Sequence, residues 1–445
     1  MKEAYKENAQ FIVLLIIMYV VGVWGGPIIY LLFPLLFGMF GLKGLFFEML
    51  ITSLWMLILS DYVPVKNATH DDLQFAKDLK PIIPIFLFGF YVIHREKFSK
   101  ISKAFINFIP FFIIILISTQ YSIKMDVAIK KYLSYLLMYF SIPMYVNYLH
   151  KEYGSHFWNS LLTFIIWMLV IGLLLGTFVP QIGMIAGGRF KGILGNPNGL
   201  GIFLNLTFIL WLTAKGLKLT TFSVKENRFI LFVILFSLFW SGSRNGMMSI
   251  FLFYLIFRLT KIHWSIAIVA VSFVFVFEEL MFSSFIALIE FFQMQEFFRV
   301  DSIEKGSGRK IAWVFAWIII EKKFFFLGGG FANDENIMRP NYKMLSMQGH
   351  QGGVHNSYLS MWFDGGLIGL MFYFLGLLKS ILFSLKGNYI GLAFLFSILF
   401  NITYESWLVA SLNPFSILFL IILTIFVENL KGEEKINSLS QPQTS

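Results

Sequence analysis

Long apolar runs separated by short polar clusters fill most of the chain. A membrane-spanning helix needs about 20 apolar residues, fewer where the span is thin or tilted. On that measure the candidate spans are 11–24, 27–41, 44–63, 80–95, 104–121, 131–149, 156–180, 198–214, 228–241, 246–261, 264–280, 355–378, 388–404 and 412–429. The first two are the least distinct, because Gly25, Gly26 and Pro27 read either as a hairpin turn or as a kink in one long helix. The pattern predicts an all-α polytopic integral membrane protein with about 12–14 transmembrane helices. Residues 1–430 form one bundle, and 431–445 form a polar tail that we expect to be disordered and cytoplasmic.

One long hydrophilic stretch, residues 281–354, interrupts this pattern. It carries GSGRKIAW at 306–313 and closes on GGVHNSYL at 352–359. Within it, residues 311–320 are apolar but stop at Glu321, Lys322 and Lys323. Ten residues are too few to span and suit a helix lying at the membrane interface, with Trp313 and Trp317 one turn apart on one face. If that helix crossed the membrane instead, Arg309 and His355 would lie on opposite sides.

Composition agrees with the pattern. The chain is 58% hydrophobic and 13% charged, with a mean hydropathy of +0.75, whereas soluble domains carry about 25% charged residues. Its 54 Phe residues suggest lipid-facing bulk. Cysteine is absent, which removes disulfides, thiolate metal sites and a Cys nucleophile. The first apolar run lacks a small-residue cleavage site, so no cleavable leader is expected.

The placement of Lys and Arg sets an orientation. Residues 95–103, then Lys215, Lys218, Lys225 and Arg228, then Arg258 and Lys261, then Lys379 and Lys386, then Lys431 and Lys435 fall on one side if the spans alternate. That side is cytoplasmic. The segment 122–131, with three lysines, dissents on the outer side. The outer face then receives residues 181–198, 241–245 and the long loop together, which gathers Arg189, Arg244, Arg309 and His355.

Each of these residues has a plain reading beside a functional one. Arg189, in GGRFKGILGNPNGLG, either meets lipid head groups or forms an anion site, with Lys191 as its alternate and with the amides of the following helix start, near Asn198, assisting. Arg244, in SGSRNGMMS, either snorkels to the interface or faces a polar cavity. Arg309 opens the short Trp-bearing helix and is either a surface arginine or an anion ligand. His355, followed by Asn356, is either structural or a proton acceptor near neutral pH, and His350 competes for that role. Asp364 and Glu405 are carboxylates at membrane depth or at its edge, candidates for function or for pairing with an arginine. No acidic pair of the kind used by metal-dependent sugar-nucleotide transferases, no HExxH and no Cys/His cluster occurs. A metal-independent site in which arginines face a phosphate leaving group fits this inventory.

The ordered set GRFKGILGNPNGLG, SGSRNG, GRKIAW, GGGF and HNSYLSMWFDGGLIGL resembles the O-antigen ligase and polymerase superfamily, most clearly over residues 189–378. The YES stretch at Glu405 is similar to one that many polymerases carry in their last outer loop. The resemblance implies a bacterial inner-membrane glycosyltransferase of glycosyltransferase-C-like fold, working on the extracytoplasmic side without cofactor or metal. Its implied donor is a glycan carried on undecaprenyl pyrophosphate. Arg309 and Arg244 would bind the pyrophosphate, with Arg189 near that path, and His355 would take the acceptor hydroxyl proton in an inverting displacement. Asn356, Asn198, Glu405 and His350 are supporting candidates. The implied partners are the lipid-linked glycan, membrane lipids, a flippase and a chain-length regulator; nucleic acid is not among them.

Two activities share this donor and chemistry. A polymerase of O-antigen or capsule repeat units is the first reading, supported by the Glu405 segment and the Lys- and Phe-rich composition. A ligase moving finished glycan to lipid A-core or protein is the second. A transporter of lipid-linked sugars predicts charges along a central path and internal symmetry, whereas here the notable charges gather at one face.

Overall fold

The computed structural model describes residues 8–62, 73–185, 188–276, 278–293, 295, 309–347, 353–384 and 389–432. His350 and the tail beyond Gly432 lie outside these residues. Most of the fourteen apolar runs fall on one helix each, but 104–121 is divided between Lys103–Ile106 and Ile109–Thr119, and 264–280 between Trp264–Val276 and the start of Glu278–Phe291. In chain order the helices are α1 (Ala9–Trp24), α2 (Ile28–Leu42), α3 (Phe46–Asp61), α4 (Gln74–Leu79), α5 (Ile82–Ile93), α6 (Lys103–Ile106), α7 (Ile109–Thr119), α8 (Met125–Tyr153), α9 (Ser155–Phe178) and α10 (Pro180–Gly183). They continue with α11 (Pro197–Gly216), α12 (Val224–Ser241), α13 (Arg244–Thr260), α14 (Trp264–Val276), α15 (Glu278–Phe291), α16 (Arg309–Ile319), α17 (Asn333–Met347), α18 (Ser357–Ser384), α19 (Ile390–Tyr404) and α20 (Pro414–Val427). No strand occurs among the described residues; Met184 and Phe190 form one isolated antiparallel bridge. The protein is an all-α polytopic membrane protein.

Among the described residues three segments, Ser155–Phe178, Pro197–Gly216 and Ser357–Leu382, are long and apolar enough, by length and composition, to cross a membrane. The others that match candidate spans are shorter or less apolar, and α20 shows why brevity is tolerated. All fourteen of its residues are buried, and it packs on α3, α8, α11 and α18. A helix that is apolar all round belongs inside a bundle, where neighbours and not lipid set its length. Lipid-facing helices differ: Phe229, Phe232, Leu235, Phe236 and Phe239 expose one side of α12. Phenylalanine also builds the core, since Phe33, Phe37, Phe46, Phe108, Phe111, Phe157 and Phe190 are among its largest fully buried side chains. The expectation of lipid-facing bulk therefore accounts for only some of them.

Gly25 and Gly26 resolve as a hairpin turn. Phe11 near the start of α1 stacks edge-on against Phe40 near the end of α2 at 5.9 Å, which requires the two helices to run antiparallel.

Because lipid tails are as apolar as Leu, helices in a membrane associate through close packing and interhelical hydrogen bonds. The contact of α13 with α11 and α19 uses both. Gly201 and Gly246 let α11 and α13 touch backbone to backbone: a Cβ on Gly246 would stand 2.9 Å from the Gly201 Cα. Alongside, Ser397 Oγ donates to Ser249 O (2.9 Å) and Asn401 Nδ2 to Ser249 Oγ (3.0 Å). Asn245 Nδ2 donates to Asn401 O at 3.1 Å, which ties the start of α13 to the end of α19.

The long hydrophilic stretch is partly helical. Residues 282–291 continue α15, and α16 and α17 follow after residues outside the description. Helix α16 has 11 residues, about 16 Å at 1.5 Å per residue, and a five-residue π-helical turn, Ile320–Phe324, extends it. Ala312, Ala316 and Ile320 face inward and join Met338 and Leu345 of α17 and Val354 and Phe363 at the head of α18 in a small second core. Val314, Trp317 and Ile318 are exposed on the other side of α16.

Candidate active site

Helix α18 is broken. Gly366 adopts φ 65, ψ −175 inside it, which only glycine enters readily. The break exposes backbone groups that an apolar setting cannot leave unpaired. The segment 325–330 supplies their partners. Gly329 N–H donates to Phe363 O (2.9 Å) and Gly330 N–H to Asp364 O (2.8 Å), while Leu367 N–H donates to Phe325 O (2.7 Å) and Ile368 N–H to Phe326 O (3.2 Å). The Gly-rich run LGGGF and the GG of FDGGLIGL are thus two halves of one joint.

Asp364 completes the joint. Its carboxylate accepts from the backbone N–H of Ala332 and of Asp334, both at 3.2 Å, at the head of α17. Lys131 of α8 lies 4.0 Å from Asp364 Oδ2 and 3.6 Å from Glu335 Oε1. Asp364 therefore pairs with a lysine and not with an arginine. Lys131 is one of the three lysines that dissented from the charge pattern, and its partners lie on α17 and α18. Burial pushes the Asp334 carboxyl up, and Lys131 opposes that shift.

Three of the residues singled out from the sequence meet above this joint. Arg309 Nη2 donates to Glu405 Oε1 at 2.7 Å. His355 Nδ1 lies 3.8 Å from Glu405 Oε2. Relative side-chain exposures of 18% for Arg309, 34% for His355 and 11% for Glu405 put the carboxylate deepest and the imidazole nearest the opening. Local structure fixes all three. Trp313, one turn into α16, donates from Nε1 to Val354 O (3.0 Å) and lies 6.1 Å from the Tyr404 ring, so it links the residue before His355 to the residue before Glu405. Asn356 accepts from Leu359 N–H at 3.0 Å and so caps α18. Ser357 Oγ donates to Glu405 O at 2.7 Å. His355 itself sits at φ 49, a left-handed conformation that costs a non-glycine residue about 1–2 kcal/mol.

The two upstream arginines occupy an adjoining part of the same helix ends. Arg189 donates from Nε to Ser241 O (3.1 Å) and from Nη2 to Gly242 O and Asn198 Oδ1, both at 3.3 Å. It therefore holds the turn between α12 and α13. Arg244 is the first residue of α13, half-buried, directly after the Ser243 cap. From there the contacts run through Asn245 to Asn401, whose Oδ1 accepts from Trp407 Nε1 at 2.8 Å, on either side of Glu405. Lys191 turns away from this path. It is buried with its Nζ 4.0 Å from the centre of the Tyr62 ring. Burial pulls its pKa down to about 8, against the upward pull of nearby Asp61. The N–H of Gly199 at the head of α11 is already taken by Asn196 Oδ1 at 2.8 Å.

The pairing of Glu405 with an arginine was one of the two expectations for it; that the arginine is Arg309, and that His355 shares the carboxylate, was not legible in the sequence. Arg309 and Glu405 are 96 residues apart, and the sequence signals were a carboxylate at a span edge and the YES stretch around it. Among the described residues no group of three or more His, Asp or Glu side chains is placed to hold a metal ion. The arrangement can hold an anion at its guanidinium groups and move a proton at its imidazole.

A family model described as O-antigen ligase matches residues 229–374. The matched stretch begins in α12, ends in α18, and contains Arg244, Arg309, His355 and the Gly366 joint; Arg189 and Glu405 lie outside it. No curated protein matches the chain. Over residues 229–374, about a third of its length, the chain is similar to the O-antigen ligase family.

Proposed function

We propose that the protein is a membrane glycosyltransferase that polymerises lipid-linked oligosaccharide repeat units of a surface polysaccharide, O-antigen or capsule. The donor is a repeat unit on undecaprenyl pyrophosphate, and the acceptor is the hydroxyl of a second repeat. The work takes place on the outer face of the bacterial cytoplasmic membrane. The observation that carries this reading is the meeting of Arg309, Glu405 and His355 at one set of helix ends.

In the proposed reaction Arg309 and Arg244 face the donor pyrophosphate, and Arg189 orders the turn that presents Arg244. Guanidinium groups match phosphate oxygens with a planar fork of donors. His355 Nε2 takes the proton of the acceptor hydroxyl. The hydroxyl oxygen bonds to the sugar anomeric carbon as the bond from that carbon to the phosphate oxygen breaks, and undecaprenyl pyrophosphate leaves with the electron pair. Attack from the opposite face inverts the anomeric centre. The arginines stabilise charge that grows on the leaving phosphate, a contribution that is large in a half-buried site.

A ligase is the second reading, and the description of the matching family favours it. The two separate in one assay: purified protein with lipid-linked repeat units alone. A ladder of lengthening products supports the polymerase. Absence of a ladder, with transfer of preformed glycan to a lipid A-core or protein acceptor, supports the ligase.

A further inference from the structure

Glu405 is placed between the anion-binding arginine and the candidate base, and the two contacts are unequal. Oε1 is engaged with Arg309 at 2.7 Å, whereas Oε2 stands 3.8 Å from His355 Nδ1. The first is a charge-assisted hydrogen bond, and the second lies just beyond hydrogen-bond reach of about 3.2 Å. The backbone on both sides is fixed. Glu405 O is held by Ser357 Oγ, and His355 sits between Val354, tied to Trp313, and the Asn356 cap. A change of pairing at this site is therefore a rotation of the Glu405 side chain. The Nδ1 edge of His355 faces that carboxylate.

We infer that Glu405 is a positioning residue that Arg309 holds in reserve: a diphosphate arriving at Arg309 displaces the carboxylate, which then hydrogen-bonds His355 Nδ1–H and orients the base. The inference rests on the reading that Arg309 binds a diphosphate and His355 accepts a proton. Phosphate and carboxylate compete for the same guanidinium donors, and a doubly charged diphosphate brings more charge to them than one carboxylate. Once released, the buried Glu405 carboxylate has His355 within a short rotation. A carboxylate on Nδ1–H fixes the tautomer with its lone pair on Nε2 and stabilises the imidazolium that forms when the acceptor proton arrives. The base is thus oriented when the donor is bound, which couples deprotonation of the acceptor to the presence of a leaving group.

The test uses the full-length purified protein with Glu405→Gln, Glu405→Asp and Arg309→Ala. Affinity for inorganic pyrophosphate and steady-state kcat and KM with lipid-linked repeat units are measured at matched thermal stability. Glu405→Gln removes a competitor for Arg309 and a partner for His355, so pyrophosphate binds about 10-fold tighter while kcat falls about 100-fold. Glu405→Asp recovers part of the lost kcat. A purely structural role would weaken binding and turnover together. If Glu405→Gln binds pyrophosphate no tighter, or keeps its kcat, Glu405 is not the coupling residue and the proposal fails alone. If pyrophosphate binding survives Arg309→Ala unchanged, the assignment of Arg309 as anion ligand fails, and this proposal with it.

Discussion

At the scale of single residues, the proposed reaction gives its chemistry to Arg309, His355 and Glu405, and their identities matter beyond their charge. Arg309 engages Glu405 through one nitrogen of a planar fork, and that fork can meet two oxygens of a diphosphate once the carboxylate is displaced. A lysine offers a point charge on a flexible stem and cannot reproduce that geometry. Arg309→Lys should therefore keep the protein folded but raise the KM for the lipid-linked donor about 10-fold, the cost of losing a bidentate charge-assisted contact. Unchanged KM in steady-state assays would mean that Arg309 is only a counter-ion for Glu405. Arg189 behaves differently. Three of its contacts go to the turn before Arg244 and to Asn198, so its contribution to an anion site passes through the shape of that turn. Lys191, the alternate anion ligand in the same loop, lies over Tyr62 and near Asp61.

At the scale of elements, the broken helix α18 and the segment 325–330 decide where His355 sits. The eight residues from Ser357 to Asp364 form a short helical head that the rest of α18 cannot orient, because the helical ladder stops at Gly366. Orientation comes instead from the joint with LGGGF and from Asp364 bridging α17 and Lys131. A Cβ on Gly366 would stand 2.2 Å from the Phe326 backbone, and φ there is positive. Gly366→Val should destabilise the protein by about 3 kcal/mol or more and abolish activity, read as a lower unfolding temperature of the purified protein. Gly89→Ala is the control: nothing stands within 4 Å of its Cβ, and Ala is the better helix former by about 1 kcal/mol. Equal behaviour of the two variants would remove the joint from the account.

The apolar periodicity announced nearly every helix, because burial in lipid or bundle demands long apolar runs whatever the tertiary arrangement. The short α16 was legible for the same reason: Glu321, Lys322 and Lys323 end its apolar run. The joint was not legible. LGGGF and FDGGLIGL are each glycine-rich, but nothing in either run says that the other is its partner. An arginine partner for Glu405 was among the expectations, but neither the choice of Arg309 nor the Lys131–Asp364 pair was legible, since ion pairing across 96 residues and more is set by packing and leaves no local pattern.

At the scale of the whole molecule, the account needs Arg309 and His355 on the same side of the membrane, with the basic loops on the other. Their shared contact with Glu405 agrees with a helix α16 that caps the bundle and does not cross it. The natural absence of cysteine makes the point testable without background. Single cysteines at Lys310 and Gly353, both exposed, should react with a membrane-impermeant maleimide on intact cells. One at the exposed Lys225 should react only after permeabilisation. Labelling of Lys310 and Gly353 from opposite sides would separate the residues that the site requires together.

The central claim is that these helix ends form one glycosyl-transfer site with His355 as its base. The most direct measurement compares wild-type protein and His355→Ala, purified at equal yield and thermal stability, in a reaction containing only lipid-linked repeat units. The account predicts a ladder of lengthening glycan from the wild type and a rate at least about 100-fold lower from the variant. A ladder of the same length, formed at the same rate by His355→Ala, would contradict it.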